Sequence, residues 1–201
     1  MSTSPSQAPI FSADRLHLHV TGSVNAALVP HWLNWLRIFY PDLTVSMSVT
    51  HSALRFVTLD SLRLLSSGSV WIDAWDSPDI PSGVHNGLDE DTECFGIFPA
   101  TLNTTMRLAA GLSDSPMLMA LQLTRRPIAV ATSFPGTNPL IDQRLEDLQR
   151  RNNIIFTPQV PAYSVSQDQW KGGTGFFMPF LLETLETKLS APETTRQNHP
   201  A

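Results

Sequence analysis

The sequence predicts a three-layer α/β domain, a parallel β-sheet with helices on both faces. Two observations carry this expectation. Short apolar runs alternate with longer segments of helical period along the chain, the pattern of strands joined by helical crossovers. Turn-forming residues such as Thr21-Gly22-Ser23 stand where a strand hands over to a helix. The chain of 201 residues makes one ordinary domain, with interior enough for a core and a bound ligand.

Met1 to about Ser12 is rich in Ser, Pro and Gln, and Ser190 to Ala201 is similar in character. Residues 1–13 and 190–201 therefore read as disordered tails around a domain spanning 14–189. The first strand is Leu16 to Val20, followed by a helix from about Asn25 to Phe39 in which Leu28, Trp32, Trp35, Leu36 and Phe39 recur at helical spacing. Leu43 to Val49 reads as the second strand and Asp60 to Leu65 as a helix. A loop rich in Pro, Asp and Gly, Asp76 to Gly87, precedes the strand Cys94 to Phe98. Helical stretches follow at Asn103 to Leu112 and Met117 to Leu123, then the strand Ile128 to Ala131 and the helix Leu140 to Arg150. The strand Ile154 to Phe156, a loop from Thr157 to Gly175 and a closing helix from Phe180 to Leu189 complete the chain.

A formal charge of -5 and a pI near 5.6, with no local Lys/Arg cluster, exclude a phosphate-backbone surface, so nucleic acid is not an expected partner. Every apolar stretch is interrupted by His, Arg or Asp well before the roughly 20 residues of a membrane span. The first residues lack the basic and apolar regions of a signal peptide. A soluble, cytoplasmic protein without membrane contact is expected. Cys94 is the sole cysteine; it has no disulfide partner and no companion metal ligands, so no metal is expected, and its apolar run Cys94-Phe95-Gly96-Ile97-Phe98 makes it a buried strand residue.

Strand–helix alternation places ligands at the carboxyl ends of the strands. Three loops fall there. Gly22-Ser23 offers close backbone approach and a helix amino terminus suited to an anion, although Gly-Ser also serves ordinary turns. Thr50-His51-Ser52 offers two hydroxyls. Pro99-Ala100-Thr101-Leu102-Asn103-Thr104 offers three polar groups at a helix start, where Thr101 and Asn103 can equally be caps. The recurrence at three strand ends favours a shared ligand. Trp32 and Trp35, at helical spacing, mark a packing face or a subunit contact, and Trp71 and Trp75 allow the same reading. His17 and His19 point to one side of the first strand.

These loops resemble, in order and spacing, those of the homo-oligomeric flavin-containing cysteine decarboxylases. Val20-Thr21-Gly22-Ser23-Val24 is similar to the family's first flavin loop, with Pro30 at the place of a family proline. Thr50-His51-Ser52-Ala53 followed by Phe56-Val57 is similar to the second. Pro99-Ala100-Thr101-Leu102-Asn103-Thr104 resembles the Pro-Ala-Ser-Ala-Asn-Thr signature, and Ala110-Gly111 with Asp114 the segment after it. The likeness runs from about Leu16 to Glu186. It implies a Rossmann-like, flavodoxin-like core that binds FMN, with FAD as an alternative. Gly22, Ser23, Val24 and Ser52 are then expected near the phosphate, and Pro99, Ala100, Thr101, Asn103 and Thr104 near the ribityl chain and ring.

The resemblance also implies a reaction, oxidative decarboxylation of a carboxy-terminal peptide cysteine to an aminoenethiol, as in the making of modified ribosomal peptides. His85, in Val84-His85-Asn86-Gly87-Leu88, matches the family's catalytic histidine; read without the family it is an ordinary loop histidine. Trp170 beside Lys171-Gly172-Gly173 resembles the family's substrate clamp, near residues 157–175. The family's Pro-x-Met-Asn-x-x-Met-Trp motif, whose asparagine holds the substrate carboxylate, is replaced by Thr132-Ser133-Phe134-Pro135-Gly136-Thr137-Asn138-Pro139. Asn138 is either the displaced asparagine or a turn residue; Ser133, Thr137 or Asn138, with backbone amides near Gly136, is expected to replace the missing asparagine, and Ser133 is also expected among the cofactor-binding residues. Trimers, or dodecamers built from them, are implied. Phosphopantothenoylcysteine decarboxylation and a non-catalytic flavin-binding regulatory subunit remain as alternatives.

Overall fold

The sheet is built outward from its first strand, β1 (Arg15–Val20), which pairs with β2 (Thr44–Val49) on one side and β4 (Cys94–Ala100) on the other. β3 (Val70–Ile72) extends β2, while β5 (Ile128–Thr132) and β6 (Ile154–Phe156) extend β4. All pairings are parallel, and the strand order is β3-β2-β1-β4-β5-β6. This is the doubly wound order, with its reversal between β1 and β4. The structure, a computed structural model, describes residues 8–80, 88, 90–134, 136–164 and 168–191.

Five of the helices link or cover these strands: α1 (Val29–Phe39), α2 (Leu59–Leu65), α3 (Leu102–Ala109), α4 (Pro116–Leu123) and α5 (Pro139–Gln149); α6 (Met178–Leu189) follows the last strand. Their starts are set by local chemistry. Thr58, Thr101, Ser115 and Asn138 each accept a backbone N–H in the first turn of the following helix, and proline stands at the first turn of α1, α4, α5 and α6. One apolar layer joins Leu18, Val29, Leu33 and Met47 to Leu181 and Leu185 of α6. The other joins Phe95, Ile97 and Val130 to Leu108, Met117 and Leu121. Gly96 lets α6 pack closely on β4 within the first of these layers, because a Cβ there would lie 2.9 Å from Leu18 Cδ2 and 3.0 Å from Leu181 Cδ2.

Four segments differ from the sequence reading. The first helix is split: Val24–Leu28 forms a 3-10 turn, and Pro30, which has no N–H to give, opens α1. Its buried stripe is Val29, Leu33 and Leu36; of the expected set Leu36 is buried, while Leu28 and Phe39 are exposed. Trp32 and Trp35 half-cover the core, and Trp32 meets Phe177 edge to face at 5.5 Å between ring centroids. β3 lies in a stretch to which no strand was assigned. The expected loop 157–175 contains an antiparallel hairpin, β7 (Val160–Ser164) with β8 (Gln169–Thr174). Part of the expected amino-terminal tail is engaged: Tyr40 donates to the Pro9 carbonyl, and the Ser12 N–H and hydroxyl donate to Glu186. No helix among the described residues is long and apolar enough to cross a membrane.

Candidate flavin site

The carboxyl ends of β1 to β4 enclose a cavity of about 600 Å³, within the range of cofactor sites. Gly22 follows β1; Thr50, His51 and Ser52 follow β2; Asp73, Ala74, Trp75 and Asp76 follow β3. Thr101, Asn103 and Thr104 come from the start of α3 and Arg107 from its last turn, with Asp114 and Ser115 at the start of α4. The loops that the sequence singled out therefore converge in space.

Local bonds explain how they are held. Thr21, buried, donates its hydroxyl to the Pro99 carbonyl at 2.6 Å and accepts the Thr101 N–H at 2.9 Å, tying the first loop to the third across the β1–β4 reversal. Thr101 caps α3 by accepting the Thr104 N–H. Gly22 is needed for a reason the sequence did not reveal: a Cβ would stand 2.5 Å from Ser52 Cβ. Its smallness admits the neighbouring loop at the cavity wall. Asn103, exposed at the cavity, makes no side-chain hydrogen bond with any described residue, so its amide is available to a ligand.

Charge is distributed unevenly. Arg107 donates from Nε to Asp114 at 3.2 Å, and this pairing holds the Asp114 carboxyl below its usual range. Asp73 is bonded to Ser115, the neighbour of Asp114, and Asp76 also lines the cavity. The wall made by Gly22, Thr50, Ser52 and Thr101 carries hydroxyls and no carboxylate. Chemically the donor set fits a flavin nucleotide: neutral hydroxyls suit a phosphate and a polyol, while the carboxylates and the Trp75 ring suit a planar heterocycle bearing N–H groups.

The remaining expected residues divide. Ser23 and Ser133 lie outside the cavity lining but meet each other at 2.8 Å, and Asn25 donates to Ser133 at 2.9 Å. Val24 is exposed in the 3-10 turn. Pro99 and Ala100 are buried in β4 and do not line the cavity; their part is to seat the loop, since a fully buried strand end leaves them no free face. Trp170 is 71% exposed and packs edge to face on Tyr163 at 5.6 Å within the hairpin. Gly172 has φ +78°, which favours glycine, and Gly173 makes room for Gln159. Asn138 caps α5, accepting from the Leu140 and Ile141 N–H groups at 3.0 Å each. His85 lies outside the described residues. Among the described residues no group of three His, Cys, Asp or Glu side chains is arranged for a metal.

Sequence reasoning missed Asp73, Trp75 and Ser115. Asp73 accepts from the Ser115 hydroxyl and the Met117 N–H, both at 2.8 Å. A run as short as Val70–Ile72 gives no periodicity with which to mark the strand that delivers it.

A doubly wound sheet with hydroxyl-lined loops over its reversal defines a cofactor-binding protein of nucleotide type. Residues 11–175 match the flavoprotein family, and the chain belongs to it. A "cypemycin cysteine dehydrogenase (decarboxylating)" from Streptomyces sp is 48% identical over 169 residues, covering 84% of this chain and 88% of that protein. The crystal structure of the cypemycin decarboxylase CypD superposes with a TM-score of 0.80 at 42% identity, over 92% of this chain and 100% of that one. EpiD, an epidermin biosynthesis protein from Staphylococcus aureus, shares the fold at a TM-score of 0.69 and 17% identity, over 86% and 99% of the two chains.

Proposed function

We propose that this protein is an FMN-dependent peptidyl-cysteine decarboxylase, acting on a carboxy-terminal cysteine in the maturation of a ribosomally made peptide. The observation that carries the reading is the 48% identity to a decarboxylating cysteine dehydrogenase over 84% of this chain, together with the family match over residues 11–175, which include the three loops that converge on the cavity. Bound flavin supplies a two-electron acceptor. The chain's residues do the rest: Gly22, Ser52, Thr101, Asn103 and Thr104 hold the cofactor, with Ser23 and Ser133 bracing the first loop.

In this reading His85 takes the thiol proton, and a bound flavin would serve as acceptor for the hydride lost from the cysteine β-carbon as the C=S bond forms. The Cα–carboxyl bond then breaks. Its electron pair forms the Cα–Cβ double bond, the C=S pair returns to sulfur, and the thiolate regains the proton as carbon dioxide departs. A thiocarbonyl β to a carboxylate is the electron sink that makes this loss easy. Ser133 and Asn138 are the groups that hold the substrate carboxylate, and the hairpin bearing Trp170, Gly172 and Gly173 closes on the peptide end. The working form is a homotrimer or a dodecamer of such trimers.

The purified protein should be yellow, and Asn103→Ala should weaken flavin retention more than Cys94→Ala. Mass spectrometry of a cysteine-ended peptide incubated with the protein should show loss of carbon dioxide and two hydrogens. A protein that takes up no flavin on reconstitution refutes the cofactor reading; a flavin-loaded protein inert on every such peptide refutes the catalytic reading in favour of a regulatory flavoprotein.

A further inference from the structure

The sheet face beneath α3 and α4 carries a line of buried polar side chains that the reaction described above does not use. His17 and His19 project from β1 between Ser46 and Ser48 of β2. His17 Nδ1 lies 2.9 Å from Ser46 Oγ, His17 Nε2 2.9 Å from Ser48 Oγ, and His19 Nδ1 2.9 Å from the same Ser48 Oγ. His19 Nε2 faces Asp73 Oδ2 at 3.9 Å, with side chains only 2% and 3% exposed. The aromatic rings of Trp71 and Phe95 flank His17 at 6.0 and 5.9 Å. Burying this many polar atoms against an aromatic core costs stability unless every one is satisfied.

Proton counting fixes the direction of the line. Ser48 has one hydroxyl proton and two ring nitrogens to meet, so one ring must donate to it. At the other end Asp73 already accepts from Ser115 and from the Met117 N–H. An unprotonated His19 Nε2 would set a lone pair against a carboxylate, so Nε2 carries the proton. The rest follows. Ser48 donates to His19 Nδ1, His17 Nε2 donates to Ser48, and Ser46 donates to His17 Nδ1. Both rings are neutral, in keeping with burial, which lowers the affinity of each for a second proton; at His19 this outweighs the opposing pull of Asp73, and Arg107 of α3 adds to it. Every hydrogen bond in the line points at Asp73.

The line ends where the cavity begins, for Asp73 and Ser115 both line it. Asp73 accepts from the Ser115 hydroxyl and from the Met117 N–H, with His19 Nε2 behind it at 3.9 Å. It has accepting capacity left over, because an ionised carboxylate offers about four lone-pair sites. From this geometry we infer that Asp73 is a ligand-binding acceptor, oriented by Ser115 and the Met117 N–H with His19 behind it, that takes an N–H of the heterocycle bound in the cavity. The inference rests on the reading of that cavity as a flavin site. His19 and His17 are positioning residues: they touch no ligand and act through Asp73.

The test is titration of FMN into the flavin-free protein, followed by quenching of FMN fluorescence, for the wild type and Asp73→Asn. Asparagine keeps an oxygen for the Met117 N–H and removes the charge. Loss of one hydrogen bond to a charged group is expected to weaken FMN about tenfold or more. Removing a fixed anion also eases addition of negative charge to the bound flavin, so its reduction potential should rise; a tenfold change in relative affinity corresponds to about 30 mV for a two-electron couple. A merely structural cap would lower the melting temperature and leave affinity and potential alone, and that outcome overturns the inference while the flavin reading stands. Failure of the wild type to bind FMN overturns both. If Asp73→Asn does not fold, ¹⁵N spectra of the wild-type imidazoles decide: protonation at Nε2 of both rings is expected, and an Nδ1-protonated His19 removes the argument.

Discussion

Gly22→Ala tests how closely the first two loops are fitted. A Cβ at this position would lie 2.5 Å from Ser52 Cβ and 2.9 Å from both the Ser52 carbonyl carbon and Oγ, whereas carbon atoms in contact sit about 3.5–4.0 Å apart. The loops must therefore separate by roughly 1 Å. Part of the obstacle is backbone, so rotation of the Ser52 side chain cannot relieve it. Overpacking of this kind costs about 1–3 kcal/mol, and the rigidity of the neighbour puts the expected value near the upper end. With a urea m-value of about 2–3 kcal/mol/M, the unfolding midpoint should fall by roughly 1 M, and flavin affinity should fall with it because both loops line the cavity. Adding Ser52→Gly removes the Cβ and Oγ contacts but not the carbonyl, so the double variant should recover part of the loss; the coupling is read from a double-mutant cycle. A Gly22→Ala midpoint within about 0.2 M of wild type would refute the argument that Gly22 is there for its neighbour.

Three further outcomes are expected. His85→Ala should fold, retain flavin and lose turnover on a cysteine-ended peptide; equal turnover would show that another group takes the thiol proton. Asn138→Ala removes a cap and should cost about 1 kcal/mol in denaturant melts, and a fall in kcat/KM well beyond that of a distant α5 cap variant would add the carboxylate role to it. Stability should drop in mild acid: burial holds His17 near a pKa of about 3 in the folded protein, against an ordinary 6.5, so the unfolded chain binds the extra proton first. The contribution of His17 is complete above about pH 6.5 and is lost as pH falls toward 3, by up to about 1.4 kcal/mol per pH unit. Denaturant melts between pH 7 and 4 measure it, and a flat profile would argue against a neutral buried ring.

The parts of this fold that could be read in the sequence are those decided by neighbours in the chain. The central strands announce themselves as apolar runs, and the loops after β1, β2 and β4 carry turn and capping chemistry within a few residues of the strand end. β3 was invisible because three residues, Val70–Ile72, cannot display a period, and with it went Asp73 and Trp75. The β7–β8 hairpin stands apart from the main sheet, so no buried face imposes alternation on it, and Pro161 and Gly172-Gly173 give it the composition of a loop. In α1 the large tryptophans suggested the buried stripe, whereas the slimmer Val29, Leu33 and Leu36 occupy it. The contact between Ser23 and Ser133, 110 residues apart, and the meeting of His17, His19 and Asp73 depend on strand order, which no local pattern encodes.

The strand order has one more consequence. β1, β2 and β3 come from residues 15–72, and β4, β5 and β6 from residues 94–156, so the sheet is two consecutive halves sewn along the single β1–β4 seam, with α6 laid across it. Gly22, Thr50 and Asp73 belong to one half; Thr101, Asn103 and Ser115 belong to the other. A molecule bound between them acts as a rivet. At a concentration a hundred times its dissociation constant it would add about 2.7 kcal/mol to the folded state, so the supply of cofactor governs how long newly made chains survive proteases as well as how many can react.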